Sequence, residues 1–257
     1  MIQQPLQANT FQQPLPFEVQ QQAGVYNLGA LTGVYKPRLT NPLFIIGMTI
    51  AAIVVDIAIL IAILQTGWIV YVFVVLPFVA VVYAIRGIID SNLRVYTFTE
   101  GLIRAKGKAL DVIRYDQVAQ VFFISRKGSY GTVSYTLTLV RSDGARFKIS
   151  NTIQYINTLG STVQSEVVRR HMPQALQAFK AGNTLSFGPL TVNTQGIGNG
   201  RGILPWNMVQ PIILQRGFLI VKQIGQNSNF ARVKVTEVPN LPVFLGIVKY
   251  AQNPGPV

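Results

Sequence analysis

Two long apolar runs constrain this chain more than any other feature of its sequence. Residues 43–64 contain a single charge, Asp56, and residues 68–85 form a second apolar run after a short polar joint. As α-helices, the runs extend over about 33 Å and about 27 Å, which matches a bilayer core of roughly 30 Å. The joint is too short for anything but a tight reversal. The sequence therefore predicts a transmembrane hairpin of two antiparallel helices.

Flanking cations orient this predicted hairpin. Lys36 and Arg38 precede the first run, Arg86 and Arg94 follow the second, and the joint contains no cation. Because cytoplasmic loops are enriched in Lys and Arg, both termini are expected in the cytoplasm. The predicted location is the cell membrane, as a multi-pass protein with two helices.

Asp56 is the one charged residue within the two runs. A charge near the middle of a membrane helix is costly and is often functional, so one interpretation is a small transporter or channel subunit that uses Asp56. The other is a structural carboxyl that packs the hairpin or an oligomer. Since neither run contains a second charged group to form a relay, we favour the structural role.

The rest of the chain is strongly basic. The net charge is +13, and residues 86–257 hold 20 of the 22 Lys and Arg against 7 of the 9 acids. Such an excess attracts phosphate, whether on anionic lipid or on nucleic acid. The chain has no cysteine, which excludes disulfides and thiolate metal sites.

Composition divides the sequence outside the two runs. Residues 1–42 are biased toward Gln and Pro, which predicts a disordered tail, and residues 252–257 form a second short tail. Apolar alternation between residues 95 and 150 predicts β-strands. Apolar residues at helical spacing then predict a helix over 159–179.

One pattern in the basic region occurs twice. The motif T-[EQ]-G-[LI] begins at Thr99 and again at Thr194, and [IL]-x-[YW]-[DN]-x-V begins at Ile113 and again at Leu204. Each copy is typical of strands joined by a turn and closed by a helix. We therefore expect one domain at 92–182 and a second at 183–251.

Pleckstrin-homology-like domains of bacterial membrane proteins are similar to four segments of this chain: FTEGLIRAKGKALDVIRYDQV, QSEVVRRHMPQAL, LSFGPLTVNTQGI and LPWNMV. From the predicted hairpin to about residue 250, the chain resembles an uncharacterised bacterial membrane-protein family built as two transmembrane helices followed by such domains. The resemblance implies a membrane α-helical hairpin plus an α+β cytoplasmic region. In that region, tandem pleckstrin-homology-like β-rich domains would each be closed by a C-terminal helix. The resemblance implies no activity.

Residues suited to catalysis are scarce. His171 is the only histidine and follows two arginines, which indicates an exposed helix position rather than a metal ligand or a triad member. The glycine cluster at 196–202 lacks the Gly-Lys-Ser/Thr ending of a phosphate loop and precedes an extended segment, so it predicts a hairpin turn. We expect no catalytic, cofactor-binding or metal-binding residue, no cofactor, and no enzyme.

The basic turn at 104–108 is the best candidate for function. In lipid-binding pleckstrin-homology domains, cations of the first hairpin hold headgroup phosphates, and the resemblance places this turn in a similar position. Six cations are candidates for headgroup contact: Arg104, Lys106, Lys108, Arg114, Arg126 and Lys127.

The sequence thus favours a non-enzymatic, membrane-anchored interaction module. Its basic domains would bind the anionic lipids of the inner leaflet or a protein partner, with homo-oligomerisation as a further option. The expected membrane tether argues against nucleic acid as the partner. The alternative function is the small transporter or channel subunit that uses Asp56.

Overall fold

A computed structural model describes residues 15–38, 93–127 and 132–253 of the chain. Five single residues between 47 and 57 are also described as helical and exposed: Gly47, Ile50, Ile53, Val54 and Ile57. The chain divides into two compact units. The first comprises Met1–Arg114 with Thr152–Gln154, and the second comprises Tyr115–Asn151 with Tyr155–Val257. The division at Arg114 falls inside the range 92–182 that the sequence predicts as one domain.

The first unit contains a four-stranded antiparallel sheet and a helix. The strands pair in chain order: β1 (Leu31–Tyr35), β2 (Leu93–Phe98), β3 (Gly101–Lys106) and β4 (Ala109–Arg114). Helix α1 (Phe17–Val25) precedes them in the chain. Val19 of α1 belongs to the same buried apolar cluster as Tyr96 and Ile103 of the sheet.

Residues 15–38 differ from the disordered tail that composition predicts for 1–42. Within this stretch α1 and β1 form, and Leu28 between them is fully buried. Val19 and Leu28 are buried in one cluster with Tyr96, Phe98 and Ile103 of the sheet, whereas Phe17 and Val25 are largely exposed. A bias toward Gln and Pro does not reveal these two buried positions, because burial depends on position rather than on average composition.

The second unit begins with a three-stranded antiparallel sheet of β5 (Val118–Lys127), β6 (Val133–Arg141) and β7 (Arg146–Ser150). Helix α2 (Ile156–Lys180) lies against β5 and β6. The sheet face toward this helix is apolar, since Val121, Leu137 and Ile149 are almost fully buried. Pro173 lies inside this helix, which continues past it without a break.

The second unit then continues with shorter strands. Strands β8 (Leu185–Phe187), β9 (Leu190–Val192), β10 (Gly196–Gly198) and β11 (Ile203–Pro205) form a four-stranded sheet. Strands β12 (Ile213–Gln215), β13 (Phe218–Lys222) and β14 (Asn229–Lys234) form a three-stranded one, and helix α3 (Leu241–Gln252) follows. The glycine cluster at 196–202 forms β10 and its turn into β11, which confirms the predicted hairpin.

The predicted fold class, a membrane hairpin followed by tandem pleckstrin-homology-like domains, is corrected by this architecture of several small antiparallel sheets. Across 15–38, 93–127 and 132–253, and the five single residues, no helix is long and apolar enough to cross a membrane. At about 14 Å and 18 Å, α1 and α3 are too short, and α2 carries charged residues along its length.

The predicted hairpin at 43–64 and 68–85 is therefore not supported, and we withdraw it together with the multi-pass membrane location and the cytoplasmic termini that depended on it. Apart from the five single residues named above, these two ranges lie outside the described residues. Asp56 lies outside them as well.

Asn240, just before α3, holds the edge strand β5. Its side-chain Oδ1 accepts a hydrogen bond from the backbone N–H of Val121 at 2.8 Å, and its Nδ2 donates to the carbonyl of Ala119 at 2.9 Å. The backbone N–H of Asn240 donates to the carbonyl of Val121 at 3.0 Å. The pairing register of β5 shifts in this stretch. The side-chain amide therefore substitutes for a neighbouring strand where β5 is irregular and at the sheet edge.

Two mid-helix glycines test how tightly the helices of the second unit pack. A Cβ on Gly160 of α2 would overlap the ring of Phe123, whereas a Cβ on Gly246 of α3 would meet only the flexible end of Met172. Alanine gains about 1 kcal/mol of helix propensity over glycine, but overpacking a core costs about 1–3 kcal/mol. We expect Gly160→Ala to lower the free energy of unfolding by about 1 kcal/mol, and Gly246→Ala to leave it unchanged or raise it.

Denaturant unfolding of both variants measures this difference. A Gly160→Ala protein as stable as Gly246→Ala would show that α2 does not press on Phe123.

Candidate functional site

The β3–β4 hairpin contains the basic turn that the sequence singles out, but Arg104 is already engaged there. Its guanidinium donates to Asp111 Oδ2 through Nε at 2.8 Å and through Nη2 at 2.6 Å. The two residues are direct cross-strand partners, and their side chains are only 23% and 33% exposed. The acid neutralises Arg104 locally, so Arg104 is a structural cation of the hairpin rather than a phosphate ligand.

The other three predicted cations of this unit are of two kinds. Lys106 and Lys108 are exposed at the tip of the hairpin, on either side of Gly107, whose φ of +59° suits the tight turn. Arg114 instead donates from Nη1 to the carbonyl of Tyr26 at 2.8 Å, just past the end of α1. Of the four cations that the sequence predicts here, the two lysines are thus the ones exposed at the hairpin tip.

Arg126 and Lys127 belong to the second unit, at the end of β5. Alternation along β5 places Arg126 on the same face as Phe122 and Ile124, which is the face opposite the buried Val121. Arg126 is exposed, while Phe122 and Ile124 are half-buried. Arg126 thus lies on the face of the three-stranded sheet opposite Val121.

Strand β7 adds two cations to this face. Arg146 pairs in register with Val140 and Lys148 with Thr138, opposite Gln120 and Phe122 of β5, so both point away from α2. Both are exposed. We call this surface the first basic face and define it by Phe122, Ile124, Arg126, Arg146 and Lys148.

No acid offsets the charge of the first basic face from within its strands. Strands β5, β6 and β7 contain no Asp or Glu. Asp143, in the turn between β6 and β7, is held by Arg141 Nε at 3.0 Å and by the N–H of Ala145 at 3.0 Å. The hydrogen bond from Arg141, with that from Ala145, lowers the pKa of Asp143 to about 2. The carboxylate of Asp143 therefore stabilises the turn through these hydrogen bonds.

Arg146 and Lys148 are not among the six cations selected from the sequence as candidates for headgroup contact. Their signal is the spacing Arg146-Phe-Lys148, in which two cations flank an apolar residue within a predicted strand. Since side chains of a strand alternate between faces, this spacing directs both cations to one side and the phenylalanine to the other.

Arg104 and Lys106 form a matched pair for a stability test of the hairpin. We expect Arg104→Gln to lower the free energy of unfolding by about 1 kcal/mol, because a partly buried cross-strand ion pair is lost. Lys106→Gln removes the same charge from an exposed position on the same strand and should change stability little. Chemical denaturation compares the two, and equal effects would contradict a structural role for Arg104.

His171 lies in α2 and is half-buried, so the expectation of an exposed position is wrong. Burial lowers the pKa of His171 below its usual value, and the neighbouring Arg170 lowers it further, while a hydrogen bond with the backbone of Val118 opposes the shift. The guanidinium carbon of Arg170 lies 5.2 Å from the ring centroid of Tyr115. Its Nη1 donates a hydrogen bond to Glu166 Oε2 at 2.7 Å. The histidine thus belongs to a packed helix surface.

The lowered pKa of His171 predicts how stability depends on pH. The folded protein favours the neutral imidazole, so the unfolded chain takes up a proton first as pH falls below about 6.5. Stability should be full above that pH and should decline as the pH falls below it. His171 is the only histidine of the chain.

His171→Gln should flatten the stability profile in this window, as measured by denaturant unfolding at each pH. An unchanged slope in the variant would assign the effect to another group.

Among the residues described, no group of three or more His, Asp and Glu is arranged to hold a metal ion. The first basic face is a set of exposed cations around half-buried apolar side chains, which suits contact with phosphate or carboxylate groups.

A protein family described as a family of unknown function (DUF6585) matches residues 2–256. No curated protein matches the chain. The resemblance to a bacterial membrane-protein family with a two-helix hairpin and pleckstrin-homology-like domains is therefore corrected, since the match is to a different family and no described helix is suited to span a membrane. The match covers almost the whole sequence, and the chain belongs to the DUF6585 family.

Proposed function

We propose that this chain is a non-enzymatic binding module whose first basic face contacts the headgroups of anionic phospholipids. The observation that carries the proposal is the acid-free three-stranded sheet with exposed Arg126, Arg146 and Lys148 on one face. The lysines at the β3–β4 tip, Lys106 and Lys108, are further candidates in the first unit.

The chemistry of the face fits a lipid headgroup region. Guanidinium and ammonium groups donate hydrogen bonds to phosphate oxygens, and guanidinium groups do so in a bidentate way. Each cation near an anionic leaflet is worth about 1 kcal/mol, so three together contribute about 3 kcal/mol before screening by salt. Phe122 and Ile124, half-buried between the cations, supply apolar surface for the boundary between headgroups and acyl chains.

Acidic protein segments and nucleic acids attract the same cations. With the membrane tether withdrawn, nucleic acid is again a competitor that experiment must address. The apolar side chains at the centre of the face favour lipid over duplex DNA, which is bound through its phosphates and base edges. The lone histidine, packed in α2, supports a non-enzymatic role.

The test is co-sedimentation of the full chain with vesicles of phosphatidylcholine alone or with added phosphatidylserine. We expect binding only to the anionic vesicles, and weaker binding as salt increases. Arg146→Gln with Lys148→Gln should weaken it about 25-fold, at about fivefold for each cation.

The matched control is Arg201→Gln with Lys249→Gln, which removes two exposed cations outside the three-stranded sheets. It should change binding about twofold at most if the face, rather than net charge, is responsible. Equal losses in the two variants would contradict a defined face. Equal binding to neutral vesicles, or stronger binding to duplex DNA or polyglutamate, would reject the lipid proposal.

A further inference from the structure

The second three-stranded sheet of the chain, β12–β14, also has one basic face. Its buried face contains Leu219, Val221 and Val233, which belong to the apolar cluster that includes Phe244 and Ile247 of α3. By alternation, the opposite face carries Phe218, Ile220 and Lys222 on β13, and Arg232 and Lys234 on β14. We call these five residues the second basic face.

Arg232 is positioned on this face by an aromatic ring. Its guanidinium carbon lies 4.1 Å from the centroid of the Phe218 ring, on the neighbouring strand. This distance is that of a cation–π contact, which restrains the Arg232 side chain. Because a restrained side chain has already lost some of its conformational freedom, a hydrogen bond to phosphate costs less entropy to form.

Glu237, which follows β14, is an acid that lies beside Lys234. Its Oε1 lies 3.8 Å from Lys234 Nζ, and both side chains are largely exposed, at 49% and 62%. An ion pair this long and exposed contributes well under 1 kcal/mol. Lys234 can therefore exchange this carboxylate for a phosphate at small cost. The three strands themselves contain no Asp or Glu.

The two basic faces have the same spacing of cations and apolar residues along their strands. The last strand of each three-stranded sheet carries an Arg-x-Lys spacing on its outward side, Arg146-Phe-Lys148 on β7 and Arg232-Val-Lys234 on β14. A strand with the spacing Phe-x-Ile-x-[Arg/Lys] supplies the apolar part in each case, Phe122 to Arg126 on β5 and Phe218 to Lys222 on β13. The first of these is an edge strand and the second a central one.

We infer that the second basic face is a second site for anionic phospholipid headgroups, with Arg232 and Lys234 as its phosphate ligands. The inference rests on the proposed function, because it assigns the same ligand class to a different surface. The occupant follows from charge complementarity: an acid-free cationic sheet around Phe218 and Ile220 fits an anionic surface with an apolar boundary. Both faces contribute to the binding of one chain to a vesicle.

The experiment compares three double variants of the full chain on vesicles of phosphatidylcholine with phosphatidylserine. The variants are Arg232→Gln with Lys234→Gln, Arg146→Gln with Lys148→Gln, and the control Arg201→Gln with Lys249→Gln. We expect the first two each to weaken binding about 25-fold, their combination to weaken it further, and the control to change it about twofold at most.

A charge-preserving variant separates charge from damage to the fold. Arg232→Lys with Lys234→Arg keeps both charges and should therefore bind more tightly than Arg232→Gln with Lys234→Gln, and thermal unfolding should show that every variant remains folded.

The outcomes distinguish the two proposals. If only the β7 variant loses binding, the second face is not a site and the proposed function stands. If neither face variant differs from the control, both proposals fail. If the β14 variant loses binding but the charge-preserving variant loses it equally, charge is not the cause and the second site is rejected. Losses in both face variants, larger in combination, support two sites.

Discussion

Burial of one face of each three-stranded sheet is the constraint on which the rest of the second unit depends. Strands alternate, so once Val121, Leu137 and Ile149 are buried on the side of α2, every neighbouring position along those strands must face the other way. The same holds for Leu219 and Val233 in the second sheet. Cations at alternate positions are thereby gathered on one surface without any dedicated loop.

A high positive charge does not make every cation a ligand. Several arginines serve the fold instead: Arg104 pairs with Asp111, Arg114 reaches the carbonyl of Tyr26, and Arg141 holds Asp143 in its turn. What distinguishes the cations of the two faces is their location on strands that contain no acid. The chain has only 9 acids for its 22 Lys and Arg, so basic residues outnumber acids along most of the sequence.

Local patterns predicted much of the fold. The apolar alternation between residues 95 and 150 corresponds to strands such as β6 and β7, and the helical spacing of 159–179 corresponds to α2. The glycine cluster at 196–202 was interpreted correctly as a hairpin, because glycine spacing and the extended segment after it are local signals. The two apolar runs at 43–64 and 68–85 were interpreted as a transmembrane hairpin from their length and hydropathy alone. The described structure does not support that interpretation.

Candidate residues divide in the same way. Arg126 could be selected from the sequence, and Arg146 and Lys148 would have been selected had the alternation been applied to charge as well as to apolar residues. No local pattern shows that Arg104 is neutralised, since the register of the β3–β4 hairpin decides which residue lies opposite it. His171 was expected to be exposed because arginines precede it, but burial on a helix depends on what packs against that turn.

The sequence by itself determined the net charge, the acid-free strands, the alternation within them and the turns that join them, because these depend only on residues close together in the chain. Only the tertiary structure decided which cations are engaged and which are exposed. Arg114 meets a carbonyl 88 positions earlier, and Asn240 binds the edge of β5 across 119 positions. Such partners are selected by packing of distant segments, since a hydrogen bond forms wherever the folded backbone brings donor and acceptor within reach.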